Sequence, residues 1–148
     1  MTLVAKTYRV TFGAKAANSV LSLMLRLGLG PGFMRILTVA GRTTGKPRST
    51  PVVPLDTDEG RWLVAPFGEV GWVRNVRAAG QVTLRRGRSS ETLTATEVDP
   101  RAAVPVLRRY LAMKPVGKYV GAYFDVTPDG SDEALAAEAP RHPVFALT

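Results

Sequence analysis

Residues 38–55 read TVAGRTTGKPRSTPVVPL. Two apolar runs flank a loop that holds Gly41 and Gly45, the cations Arg42, Lys46 and Arg48, and no acid. The first run, within MRILTVAG (34–41), has the β-branched and aliphatic content of a strand. The second, RSTPVVPL (48–55), reads as another strand. Pro51 and Pro54 push it toward an edge or a bulge, because proline has no amide hydrogen to give a ladder. Two strands around a short loop predict an antiparallel hairpin, and the rest of the chain continues in that style. RWLVAP (61–66) follows the turn DTDEG, QVTLRR (81–86) and ETLTATEV (91–98) flank the turn GRSS, and HPVFALT closes the chain as a strand. About six short, mostly antiparallel strands with covering helices predict the α+β class and a barrel or curled sheet, not a βαβ array.

The helical segments have their own signals. Residues 13–28 bring Ala17, Val20, Leu21, Met24 and Leu27 to helical spacing, with Lys15, Ser22 and Arg26 elsewhere; this helix is expected to cover an edge of the core. GLGPG ends it. WVRNVRAAG gives about two turns stopped by Gly80, and Asp99-Pro100 opens a helix to about Met113, with Pro105 delaying or kinking it. Ser131 caps DEALAAEA, whose acids suit the positive end of a helix. KPVGKYVGAYFDV fits neither period. The organisation expected is one domain over 1–148, with an amphipathic helix in 1–30 and the barrel in 31–148.

Composition removes several classes of chemistry. There is no cysteine, so disulfides and thiolate sites are excluded, and the single histidine, His142, excludes a histidine cluster. No metal site is expected. Asp56 is the first acid, so the net charge of +8 belongs entirely to residues 1–55. Such asymmetry suits nucleic acid, an anionic membrane or an acidic small molecule. Nucleic acid is not expected as a partner, because only Tyr8, Phe12 and Phe33 precede Trp62 and they do not interleave with the cations as stacking residues. NSVLSLMLRLGLG is too short and too interrupted to cross a bilayer. The expected location is the cytoplasm, with peripheral membrane contact through residues 1–30 as the addition that a basic amphipathic helix offers. Monomer and homodimer both stay open.

The loop after residue 41 is the first candidate site. A hairpin would bring Arg42 and Arg48 face to face, where two guanidiniums need an anion between them. Thr43, Thr44, the Gly45 amide and Lys46 add donors, which together make a phosphate cradle. It is not a Walker A loop: one residue is missing between the glycines, and Pro47 stands where Ser or Thr belongs. A solvated turn is the plain alternative. The second candidate is FGEVGWVRNVRAAG, where Trp72 and Asn75 share a helical face and Val73 and Val76 a neighbouring one. Trp72 there either meets a flat heterocycle or anchors the core.

In this order, Gly41-Arg42-Thr43-Thr44-Gly45-Lys46-Pro47-Arg48 followed by Trp72-Val73-Arg74-Asn75-Val76 resembles the deazaflavin-dependent nitroreductase family, within the flavin and deazaflavin oxidoreductases of the split β-barrel fold. The resemblance covers roughly residues 34–98. It implies coenzyme F-420, an 8-hydroxy-5-deazaflavin with a phospholactyl-polyglutamate tail, and hydride transfer from F-420H2 to a quinone, nitroaromatic or activated-alkene acceptor. By that resemblance Arg42, Thr43, Lys46 and Arg48 would hold the phosphate and carboxylates. Ala65, Pro66, Phe67, Gly68 and Gly71, with Trp72 and Asn75, would position the ring. Tyr119 and Tyr123 become candidate acceptor-side groups, since a phenol can donate a proton; the alternative is that both are core aromatics. The chain departs from the family pattern in having Thr43 where relatives carry a second cation, a shorter loop (PFGEVG), and Glu69 close to the expected anion site. FMN is therefore the alternative cofactor, and a lipid- or fatty-acid-binding split barrel without redox activity the alternative function.

Overall fold

The computed structural model describes residues 12–114 and 116–148; residues 1–11 of the expected N-terminal segment, and Pro115, lie outside the described residues. In chain order the elements are helix α1 (Phe12–Arg26), strands β1 (Arg35–Ala40), β2 (Pro47–Val52), β3 (Leu55–Thr57) and β4 (Gly60–Val64), and helix α2 (Gly71–Ala79). The hairpin β5 (Gln81–Arg86) and β6 (Ser89–Glu97) follows, then helices α3 (Pro100–Ala112), α4 (Val116–Val120) and α5 (Asp132–Glu138), and strand β7 (Val144–Leu147). The ambiguous stretch before residue 124 is α4 running into a 3-10 turn at Gly121–Tyr123.

All strand pairs are antiparallel, in the order β2-β1-β5-β6-β7-β4-β3. The second expected strand is in fact two. β2 stops at Val52 and β3 begins at Leu55, because Pro54 cannot donate to a ladder. That break places consecutive strands at the two outer edges of one sheet. Three residue steps reach at most about 11 Å, whereas a flat sheet of this order would hold its outer strands about 29 Å apart at roughly 4.8 Å per spacing. The sheet must curl, and an α+β half-barrel is the result.

Two apolar clusters fill the two sides. Leu37, Val39, Leu63, Val73, Val76 and Phe145 join the concave face of the sheet to α2. Val104, Leu107, Tyr110, Val120, Phe124 and Leu135 bind α3, α4 and α5 to β4 and β7. At the corner between α3 and α4 the chains approach so closely that a Cβ on Gly117 would overlap the Leu111 carbonyl. Burial holds the Tyr110 hydroxyl well above its usual range. Local caps match the sequence signals: Asp99 accepts from the Ala102 amide at 2.9 Å, Ser131 accepts from Ala134 at 3.1 Å, and Gly80 closes α2 at φ 69°.

α1 differs from its expected packing. Ala17, Val20, Met24 and Leu27, expected on its packing face, are exposed, and Leu25 is the residue that goes fully into the core. The cause lies at the helix end. The Arg86 guanidinium donates to the carbonyls of Pro31 (2.7 Å) and Gly30 (2.7 Å), and the Gly87 amide donates to Leu25 O at 2.8 Å. Those bonds fix the rotation of α1, which turns Leu25 inward and Leu23 and Leu27 outward. No helix of the described residues is long and apolar enough to cross a membrane.

Candidate cofactor site

The first half of the site is the turn between β1 and β2. Gly41 N–H donates to Lys46 O and Gly45 N–H to Gly41 O, both at 2.8 Å, with Gly45 at φ 74°, where a side chain would strain the backbone. Because the turn closes at Gly41 and Lys46, the register pairs Ala40 with Pro47 and Val39 with Arg48. The expected face-to-face placement of Arg42 and Arg48 is therefore not what forms. Arg48 shares a sheet face with Val39, the concave face that α2 covers.

Arg42 instead reaches α2. Its backbone N–H and its guanidinium both donate to Asn75 Oδ1, at 3.1 and 2.8 Å, and the guanidinium also approaches Gly71 O at 3.4 Å. Asn75 is 7% exposed, so this amide oxygen is a buried acceptor satisfied from the turn. The two sequence motifs are thus one structural unit. Trp72 is half-buried and tilts against Phe145 at 6.3 Å between ring centres, as a core anchor would. Val73 and Val76 are completely buried.

Charge around this unit is lopsided. No hydrogen bond or ion pair holds the side chains of Lys46 or Arg48 among the described residues. α2 begins with no acid in its first turn and no side-chain cap on Val70, which leaves positive helix-end amides on the same side as Arg42. Glu69, the acid that departs from the family pattern, is diverted. Arg77 grips it at 2.5 and 2.8 Å and grips Glu97 at 2.7 and 2.9 Å. The Arg77 guanidinium holds the Glu69 carboxyl below its usual range, and the two acids together raise Arg77. Sequence reasoning did not find this triad, since its members stand 8 and 20 residues apart on three elements.

The second half is the loop after β4. Ala65 N–H donates to Pro143 O at 2.9 Å, Val70 N–H donates to Gly68 O at 2.8 Å, and Phe67 meets Tyr123 edge-on at 4.9 Å. Tyr123 thus stands beside this loop, whereas Tyr119 on α4 is 76% exposed. Beneath the loop lies a buried pair, Glu138 and His142, that the sequence did not single out as part of a site. His142 Nδ1 donates to Pro66 O at 2.9 Å, and Nε2 lies 2.8 Å from Glu138 Oε1. The imidazole stacks on Phe124 at 3.6 Å. Its one sequence signal is the i, i+4 spacing of Glu138 and His142 at a helix end.

The pattern of the F-420H(2)-dependent quinone reductase family matches residues 11–123. A domain-swapped dimer of known structure is 16% identical with a TM-score of 0.57, over 93% of this chain and 97% of its own. An F-420-H2-dependent reductase is 19% identical with a TM-score of 0.54, over 79% and 95%. A Clostridium acetobutylicum protein related to general stress protein 26, of the pyridoxinephosphate oxidase family, is 13% identical with a TM-score of 0.52, over 79% and 75%. At these identities the likenesses establish the split β-barrel fold. No curated protein sequence matches the chain.

Proposed function

The chain belongs to the F-420H2-dependent quinone reductase family, and on that premise we propose that it seats the anionic tail of F-420 between Arg48 and the start of α2. The family is one of oxidoreductases, and its cofactor is coenzyme F-420. When bound in its reduced form, F-420 supplies a hydride from C5 of the deazaflavin. Everything else falls to the chain. Arg48, Lys46, Thr43, Thr44 and the Gly45 amide hold phosphate and carboxylates. Arg42, fixed by Asn75, has Nε and Nη2 left for the same anion. Ala65, Pro66, Phe67, Gly68 and Gly71 with Trp72 border the ring, and Tyr123 next to Phe67 offers a phenol to the acceptor oxygen. A quinone is the acceptor the family name favours; nitroaromatics and activated alkenes accept a hydride and a proton in the same way.

The observation that carries this reading is the Arg42–Asn75 bond, which joins both motifs at a helix start from which the nearby acid has been drawn away. A fluorescence titration with F-420 tests it. Arg48→Ala is expected to weaken binding more than tenfold, about 1.4 kcal/mol, and unchanged binding in that variant would remove the site. Tighter binding of FMN than of F-420 would favour the alternative cofactor.

A second reading concerns where the acceptor is met. Val20, Leu23, Leu27 and Leu29 are 55–67% exposed along and just after α1, beside Lys15 and Arg26. This surface suits contact with an anionic bilayer, in which quinones reside. Sedimentation with anionic vesicles is expected to fall severalfold in Leu23→Glu, a substitution at an exposed position that leaves the Leu25 anchor in place. Equal sedimentation of both proteins would end this reading.

A further inference from the structure

Residues 138–143 lie beyond the stretch matched by the family pattern, yet they form the floor under the loop just assigned to the ring. The tie is specific. Pro66 has no amide hydrogen, so its carbonyl is the only backbone group through which it can be tethered. That carbonyl turns into the protein and accepts from His142 Nδ1, which must carry a proton because a carbonyl only accepts. His142 is 3% exposed and Glu138 5%. On the far side Glu138 Oε1 accepts from the Asp125 amide at 3.2 Å, and Arg141 spans Asp125 Oδ2 at 2.5 Å and Glu138 Oε2 at 3.4 Å. Phe124 closes the ring's flat face. Gly68 then passes so near the Arg141 carbonyl that a Cβ would come within 3.1 Å, with its φ at 84°. The loop therefore rests on this floor at Pro66 and Gly68, and at Ala65 through Pro143.

The buried imidazole N–H needs an acceptor, and the acceptor it meets is the carbonyl of a loop 76 residues earlier. We propose that His142 is a positioning residue of the cofactor site: its Nδ1–H bond to Pro66, braced by Glu138 and Phe124, sets the shape of Ala65–Gly71 that receives the ring. This rests on the reading that the loop borders F-420.

Two substitutions divide the ring's functions. In His142→Asn the amide Nδ2 can occupy the place of Nδ1 and keep the Pro66 bond. In His142→Gln the amide Nε2 can reach Glu138 but not Pro66. Amide hydrogen exchange is measured on the cofactor-free protein. The Gly68 and Val70 amides are expected to exchange within threefold of wild type in the Asn variant and at least tenfold faster in the Gln variant, with β4 and β7 amides unchanged in both. F-420 affinity should follow the same order, with a tenfold loss only in Gln. Equal effects of the two substitutions, or a loop indifferent to both, would overturn the proposal. Because His142 is the only histidine, histidine-selective 15N spectra of the wild type report one ring. A protonated Nδ1 in slow exchange is expected, and a bare Nδ1 overturns the proposal even if a variant fails to fold. Failure of the wild type to bind F-420, with the exchange pattern as expected, would strike the cofactor reading and leave the tether standing.

Discussion

Arg42 reaches α2 from the β1–β2 turn and Arg77 stands on that helix, and they live in opposite electrostatic worlds. Arg77 holds two carboxylates at once, as Arg61 holds Asp56 and Glu91 and Arg141 holds Asp125 and Glu138. Arg42 is held by a neutral amide, and Lys46 and Arg48 nearby have no acid partner among the described residues. Among those residues every ion pair lies after residue 55. The described residues after 55 pair much of their charge internally, and the turn between β1 and β2 carries cations with no acid partner among the described residues. Arg77 withdraws Glu69, the one acid of the loop before α2, so that this carboxylate does not pair with Arg42 at the helix start.

The comparison can be broken at Asn75. In Asn75→Leu the amide oxygen is lost and the Arg42 N–H groups are left facing an apolar side chain; a stability loss of about 1–3 kcal/mol is expected by denaturant unfolding. F-420 binding should drop more than tenfold. Full affinity in a folded Asn75→Leu protein would show that the two motifs need not be joined.

The pH dependence of stability separates the buried pair from the exposed cations. Burial lowers the His142 pKa, and Glu138 offsets only part of that effect. Glu138, Arg141 and Asp125 are the charged groups around it. As pH falls below about 6.5, the unfolded chain takes up this proton first, so stability declines with acid. His142→Asn has no such group. The difference in thermal midpoint between wild type and His142→Asn should narrow from pH 7 to pH 5; a constant gap would show that the imidazole is not the titrating group.

The smallest effect is expected at Arg77. Its partners are partly exposed, so Arg77→Ala should cost no more than about 1 kcal/mol. F-420 affinity should nevertheless fall severalfold, since Glu69 is then free to face the cations. A stability loss without an affinity loss would show that drawing Glu69 aside has no functional part.

Much of the fold was legible because its signals are local. The β-branched and aliphatic content of 34–41, Gly80 after a two-turn helix, Asp99-Pro100 and Ser131 are each local signals, and each stands where expected. The break at Pro54 was only half legible: proline predicts an edge, but two edges joined by two residues emerge only from the complete strand order. The α1 face was misread because Arg86, sixty residues on from Arg26, sets its rotation. At the candidate site the two motifs were visible in the sequence, but the bond that joins Arg42 to Asn75 was not. A register offset of three separates Arg42 from the partner of Arg48, and turn geometry decides it. The tether under Pro66 needed the C-terminal segment folded back beneath a loop 76 residues earlier.

The two-residue passage from Val52 to Leu55 has a mechanical consequence. It is the hoop's clasp: the rims it unites share no ladder with each other, and chain length alone draws them close. A few flexible residues inserted at Val53-Pro54 would let the staves splay and offer two raw borders, β2 and β3, to whatever strand came near. The curvature that shelters the concave face is thus set by a connection of two residues.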